Sequence, residues 1–117
     1  MNLLLVLLCV IFAAALGGGQ VLFKLAAGDV QARLASSWVE AVLSPWLIAA
    51  LLLYAVSTAL WLYILAQVPL TRAYPFVLLG AALVPLLARL TLSEPLPAHY
   101  IVGMAVVLAG VAITQLG

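Results

Sequence analysis

The sequence predicts an all-α membrane protein in which four transmembrane helices form one small domain. Of its 117 residues, 69% are apolar and only 6% are charged, and the mean hydropathy is +1.40. A soluble domain of this size needs far more polar surface. The apolar residues fall into four runs, each able as a helix to approach or exceed the roughly 30 Å of a hydrocarbon core. These predicted spans cover about residues 3–25, 45–66, 73–92 and 98–116.

The first predicted span carries the most informative polar side chains. Ala13, Gly17, Gln20 and Lys24 recur at spacings of four, three and four, which places them on one face of a helix. Small residues let another backbone approach closely, so Gln20 and Lys24 would then point into the bundle. The alternative is that Lys24 extends to the headgroups from a helix end. A cleaved signal peptide is disfavoured because no Lys or Arg precedes the apolar run.

The connection between the first and second spans is mixed in character. Gly28 and Asp29 supply a break and an N-cap, and apolar residues then recur at helical spacing over about residues 30–43. We expect either a short amphipathic helix in the membrane interface, with Trp38 at headgroup depth, or a simple connecting loop.

The third span contains a proline in its interior. Pro85 has no N–H to donate to the carbonyl of Ala81, so we expect a helix bend between Gly80 and Pro85. Such bends are tolerated in membranes where neighbouring helices or a cavity satisfy the freed backbone group.

The fourth span presents a surface suited to another helix. Gly103 and Gly110 are seven residues apart on one face, with Val106 and Val107 between them. Four short helices make thin walls for a translocation pathway, so we expect a dimer with this face as its interface. The alternative is that the face packs against other spans of the same chain.

The charged residues exclude several classes of function. A net charge of +1 gives no basic surface for nucleic acid. Asp29, Glu40 and Glu94 all fall in connections, so the membrane interior offers no paired carboxylates, and no metal-ligand cluster or activated nucleophile is apparent. We therefore expect no enzyme, no metal and no cofactor. A proton relay through Glu94 and His99 is disfavoured, since an interfacial His beside prolines is more often an exposed cap.

A set of short motifs, in a fixed order along the chain, resembles the drug/metabolite transporter superfamily. The motifs are Gly19-Gln20-x3-Lys24, Leu60-Trp61-Leu62, Val68-Pro69-Leu70-Thr71-x-Ala73-Tyr74-Pro75, Glu94-Pro95 and Gly103-x6-Gly110. More narrowly, the chain is similar to four-span EamA-type proteins related to the small multidrug resistance family, and most of all to flippase subunits for aminoarabinose-linked undecaprenyl phosphate. The resemblance implies a dimeric bundle of the small-multidrug-resistance type in the bacterial inner membrane.

The same resemblance separates two transport functions. Small multidrug pumps carry a membrane-embedded glutamate in the first span, and the shared spacing places Leu16 at that position. A cation/proton antiporter without an intramembrane carboxylate has no group to exchange its charges. We therefore expect a flippase or flippase subunit for an undecaprenyl-phosphate-linked sugar, with aminoarabinose as the candidate. The alternatives are a small-solute or cationic-drug exporter and a non-transporting accessory membrane subunit.

An anionic lipid headgroup needs cationic and amide donors. The residues that we expect to contact it are Lys24, Gln20, Arg72, Arg89, Tyr74 and Trp61. The expected partners are this lipid, the membrane, and either a second copy or a similar small subunit, with no nucleic acid. Orientation stays open because the positive side chains divide almost evenly between the two sides.

Overall fold

A computed structural model describes residues 2–116, and within them the chain forms helices and no β-strand. The helices are α1 (Leu3–Leu34), α2 (Trp38–Val42), α3 (Pro45–Gln67), α4 (Leu70–Ala73), α5 (Pro75–Thr91) and α6 (Ala98–Thr114). Three segments are long and apolar enough to cross a membrane: α1, α3, and α4 together with α5. Helix α6 is apolar but shorter, at 17 residues. The chain is an all-α, multi-pass membrane protein.

Helix α1 is the central element of a single layer. It packs against both α3 and α5, while α6 packs against α5. The Cα positions extend over 55 × 38 × 17 Å. These contacts place the main helices side by side in the order α3, α1, α5 and α6. Each helix therefore keeps a large part of its surface outside the contacts of this chain.

Small residues bring α1 and α5 into close contact. A Cβ atom added at Gly80 would lie 2.9 Å from the carbonyl oxygen of Ala13, and one added at Gly17 would lie 3.2 Å from Cδ2 of Leu83. Ala13 and Gly17 are both buried. The expectation that the small-residue face of the first span admits a neighbouring backbone is confirmed.

The apolar core lies toward the end of the bundle where α1 begins and α3 ends. Its buried members come from α1, α3, α4 and α5, and they are Cys9, Phe12, Ile64, Ala73 and Phe76. Lipid tails are as apolar as these side chains, so dense packing contributes more to this cluster than the exclusion of water does. The cluster holds the end of α3 and the start of α5, with α4 between them, against α1.

The connection after the first span differs from the prediction in two ways. The expected break at Gly28 and Asp29 is wrong, because α1 continues without interruption to Leu34. Good helix-forming residues surround these two positions, and Arg33 forms an ion pair with Asp29 one turn away, at 3.0 Å. The amphipathic helix expected over residues 30–43 is consequently reduced to the five residues of α2.

A hydrogen-bonded link joins the end of α1 to the start of α3. Ser44 is fully buried, and its Oγ accepts from the backbone N–H of Leu47 as the N-cap of α3. The same hydroxyl donates to the carboxylate of Asp29. One serine therefore both caps α3 and positions it against α1.

The third predicted span, residues 73–92, covers the last residue of α4 and all of α5, with an interruption at Tyr74 between them. Pro75 has no N–H to donate to the preceding turn, which explains why a separate helix starts there. Helix α5 then runs unbroken through Pro85, so the bend between Gly80 and Pro85 stays a prediction.

The glycine face of α6 is open. A Cβ atom added at Gly103 or Gly110 would meet nothing within 4 Å, and Val106 and Val107 are exposed. Other residues of α6, such as Met104, line a cavity shared with α5. The alternative that the glycine face packs against its own chain is therefore wrong for the residues that the structure describes, and dimerisation stays a prediction.

Replacing Gly80 with Ala should weaken the contact between α1 and α5, because the new Cβ would stand 2.9 Å from the Ala13 carbonyl oxygen. We expect a loss of about 1–3 kcal/mol, measured as a lower thermal unfolding midpoint by circular dichroism in detergent micelles. Gly18→Ala is the matched control, since its Cβ would meet nothing within 4 Å. Equal midpoints for the two variants would contradict the close approach.

Replacing Ser44 with Ala should destabilise the start of α3, because it removes both the N-cap and the bond to Asp29. The expected cost is about 1–2 kcal/mol, measured by the same thermal unfolding. Ser36→Ala is the control in the same connection, since Ser36 is exposed. A midpoint for Ser44→Ala as high as that of Ser36→Ala would argue against this link.

Candidate functional site

A groove runs along one face of α1 between α3 and α5, and we call it the α1 groove. Leu16 of α1 lines all three of the adjoining depressions that form it. The two larger ones have volumes of about 260 and 300 Å³. Helices α3 and α5 each pack against α1 rather than against one another, which leaves the space between them open.

Aromatic side chains line the α1 groove at the end near the start of α5. The rings of Phe12 and Trp61 stack with centroids 4.8 Å apart, and Trp61 meets Tyr74 edge to face at 6.4 Å. All three residues line the same depression. Their rings offer apolar faces, while Trp61 and Tyr74 also carry a polar N–H and O–H.

Neutral polar groups occupy the middle of the α1 groove. The exposed Gln20, one turn after Leu16, lines two of the depressions. Ser57 lies across the groove on α3, is only 5% exposed, and has no hydrogen-bond partner for its Oγ. Its neighbour Thr58 instead donates its hydroxyl to the carbonyl of Tyr54, at 2.9 Å.

Lys24 does not line these depressions. It is exposed and lies one turn beyond Gln20. Ala13 lies beside Gly80, and Gly17 lies beside Leu83, so α1 and α5 run in the same direction. Extending this pairing along both helices places Lys24 near the level of the last turn of α5. That turn carries the exposed Arg89. The two cations therefore lie toward the same end of the groove.

Arg72 lies at the opposite end. It belongs to α4 and is half-buried, and its backbone carbonyl accepts a hydrogen bond of 3.5 Å from Nε2 of Gln115. The predicted headgroup residues thus separate into three groups. Gln20, Trp61 and Tyr74 come together in the groove, Lys24 and Arg89 lie toward one end, and Arg72 lies at the other.

The lining of the α1 groove is uncharged. Among the residues that line its three depressions, none is acidic or basic. Leu16, at the shared centre, is apolar. A cation entering this part of the groove meets no counter-charge, and burying an unpaired charge there is costly.

One face of α3 contributes groove-lining residues that were not predicted from the sequence. Tyr54, Ser57, Thr58 and Trp61 are spaced by three and four residues, so they share a helix face. All four line the α1 groove. Of these four residues, only Trp61 is among the headgroup residues predicted from the sequence, although their common spacing is visible there.

Comparison with known proteins gives partial matches to one kind of protein. The chain is 36% identical over 58 residues, half of each chain, to a protein of Pseudomonas paraeruginosa named as the probable 4-amino-4-deoxy-L-arabinose-phosphoundecaprenol flippase subunit ArnE. Proteins with the same name from Pseudomonas aeruginosa and Serratia proteamaculans are 38% identical over 53 residues and 34% identical over 61 residues. These matches cover 45% and 52% of this chain and 46% and 53% of the respective relatives.

The chain spans about half the length of the curated relatives it matches. No family model matches it, and no solved structure matches it. Over about half its length the chain is therefore similar to proteins named as aminoarabinose-phosphoundecaprenol flippase subunits, and the predicted resemblance to such subunits is confirmed.

Proposed function

We propose that the chain is a subunit of a flippase that moves a polyprenyl-phosphate-linked sugar across the bacterial inner membrane. Undecaprenyl-phosphate-linked aminoarabinose is the candidate substrate, as the names of the relatives suggest. The observation that carries the proposal is the α1 groove, a depression along a central membrane helix with aromatic and neutral polar side chains and no charged lining residue.

The shape of the groove suits a substrate that is half lipid. A headgroup can pass along the groove while its prenyl tail stays in the surrounding bilayer, so the tail needs no site in the protein. The rings of Trp61 and Tyr74 give the sugar an apolar surface to pack against, and the amide of Gln20 gives it hydrogen bonds.

The positions of the cations suit the phosphate of such a substrate. Lys24 and Arg89 lie toward one end of the groove and Arg72 lies at the other. A charged side chain near the bilayer centre costs about 2.5–3.5 kcal/mol, whereas one near an interface can reach water. Charged donors at both ends can hold the phosphate on either side of the membrane.

The same lining argues against a cationic-drug exporter. Proton-coupled export of a cation needs a carboxylate that alternately binds the proton and the drug, and Leu16 occupies the centre of the groove. If proteoliposomes of the purified protein accumulated a cationic dye under a proton gradient and did not move the lipid, the exporter would replace the flippase.

A second subunit would complete the site. Among the described residues, α6 contributes none to the lining of the α1 groove, so the groove stays open to a helix of another subunit. The open glycine face of α6 offers a place for another helix to pack. The partner is either a second copy or a similar small membrane subunit.

Replacing Lys24 with Ala should reduce flipping at least tenfold, because the phosphate loses a charge-assisted bond at one end of the groove. Proteoliposomes holding the protein and undecaprenyl-phosphate-linked aminoarabinose report this through the rate at which a membrane-impermeant amine reagent reaches the sugar. Lys24→Arg keeps the charge and should retain most of the rate.

Arg33→Ala is the matched control for Lys24→Ala. It removes a positive charge from the same helix, but Arg33 pairs with Asp29, and an ion pair between residues four apart on one helix contributes only about 0.3–0.5 kcal/mol. Its flipping rate should equal that of the unaltered protein. If Lys24→Ala also flips at the full rate, Lys24 does not bind the headgroup.

Replacing Gly103 and Gly110 together with Leu should disrupt assembly, because the added side chains block close approach of a second helix. The expected result is at least a tenfold loss of cross-linked dimer in native membranes with unchanged helix content by circular dichroism. Gly28→Leu is the control, since a Cβ atom at Gly28 also meets nothing within 4 Å but lies on α1. Full cross-linking of the double variant would exclude this face as the interface.

A further inference from the structure

Ser57 has a hydroxyl group that the protein itself leaves without a partner. The residue is 5% exposed, and its Oγ is buried without a hydrogen bond. A serine in an apolar helix ordinarily donates to a carbonyl three or four residues earlier. Three threonines in α3, α5 and α6 do so: Thr58 to Tyr54, Thr91 to Leu87 and Thr114 to Val111. Ser57, unlike these threonines, makes no hydrogen bond to the carbonyl of the preceding turn.

The surroundings of Ser57 place this hydroxyl in the middle of the α1 groove. It lines one depression with Gln20 and another with Trp61 and Tyr74. It faces Leu16 across the groove and lies near the middle of α3. A group that travels along the groove must therefore pass this hydroxyl between the amide and the aromatic rings.

The chemistry of the position favours an uncharged polar ligand. No residue lining these depressions is charged, and the cations lie toward the two ends. A serine hydroxyl can donate one hydrogen bond and accept others, which matches the hydroxyl and amine groups of a sugar. A phosphate in the same place would lack a counter-charge.

We propose that Ser57 is a sugar-binding residue in the middle of the groove, which hydrogen-bonds a hydroxyl or amine of the headgroup while the phosphate remains with the cations at one end. This inference rests on the proposed function and adds to it the part of the substrate that the middle of the groove recognises. Ser57 would thus favour glycosylated over sugar-free polyprenyl phosphate.

Ser57→Ala tests this assignment through equilibrium binding to the detergent-solubilised protein as purified. The probes are radiolabelled undecaprenyl phosphate and undecaprenyl-phosphate-linked aminoarabinose. We expect affinity for the sugar-linked lipid to fall about tenfold, the value of one lost hydrogen bond, and affinity for undecaprenyl phosphate to stay unchanged. The thermal midpoint should not fall, because the hydroxyl has no partner inside the protein.

Two variants support this measurement. Thr91→Val removes a hydroxyl whose bond lies within α5, near its end, and it should bind both lipids as the unaltered protein does. Ser57→Cys nearly keeps the size of serine but offers only a weak donor, so it should show the same selective loss if Ser57→Ala does not fold.

The outcomes distinguish failure of the sugar-binding subsite at Ser57 from failure of the proposed flippase function. If the unaltered protein binds the sugar-linked lipid and Ser57→Ala binds it equally well, the subsite is overturned and the proposed function stands. An equal loss for both lipids would overturn the assignment to the sugar. A lower thermal midpoint for Ser57→Ala would show that the hydroxyl is structural. If the unaltered protein binds neither lipid, the proposed function fails and the subsite fails with it.

Discussion

The close contact between α1 and α5 is the constraint on which the rest of the structure depends. Gly80 allows the backbone of α5 to approach the carbonyl of Ala13, and Gly17 accepts Leu83 one turn later. Helices in a bilayer gain little from excluding water, so association depends on such close packing. Because α3 packs against another side of α1, the two neighbours flank one face of α1 without covering it, and the groove is the space that remains.

This arrangement explains why the groove-lining residues lie where they do. Gln20 follows Gly17 by three residues on α1, so the helix turn that packs against α5 also directs the amide toward the groove. Trp61 reaches the groove from α3 because it stacks on Phe12. Tyr74 joins them because Pro75 forces a new helix to begin beside it. Helix packing and the interruption between α4 and α5 therefore bring together residues that lie far apart in sequence.

The sequence predicted the packing face of α1 well and the end of α1 poorly, and the reasons are physical. Ala13 and Gly17 follow a helical spacing that any neighbouring helix would use, so their role could be inferred without the neighbour. Asp29 looked like an N-cap because its residue type favours that position. Its bonds to Arg33 and Ser44 depend on a continuous helix and on the start of α3, and local spacing does not reveal such partners.

In the candidate site, too, the helix faces could be predicted from local spacing, whereas contacts between distant residues could not. The common spacing of Gln20 with Gly17 and of Ser57 with Trp61 was present in the sequence, but the unpartnered hydroxyl of Ser57 is a property of packing. A buried hydroxyl without a partner costs about 1–3 kcal/mol, so the position is destabilising unless a ligand supplies the bond. The cations, by contrast, lie toward the ends, where water lowers their cost. Neutral groups in the middle and charged groups at the ends let the sugar and the phosphate of one lipid find different partners along the same groove.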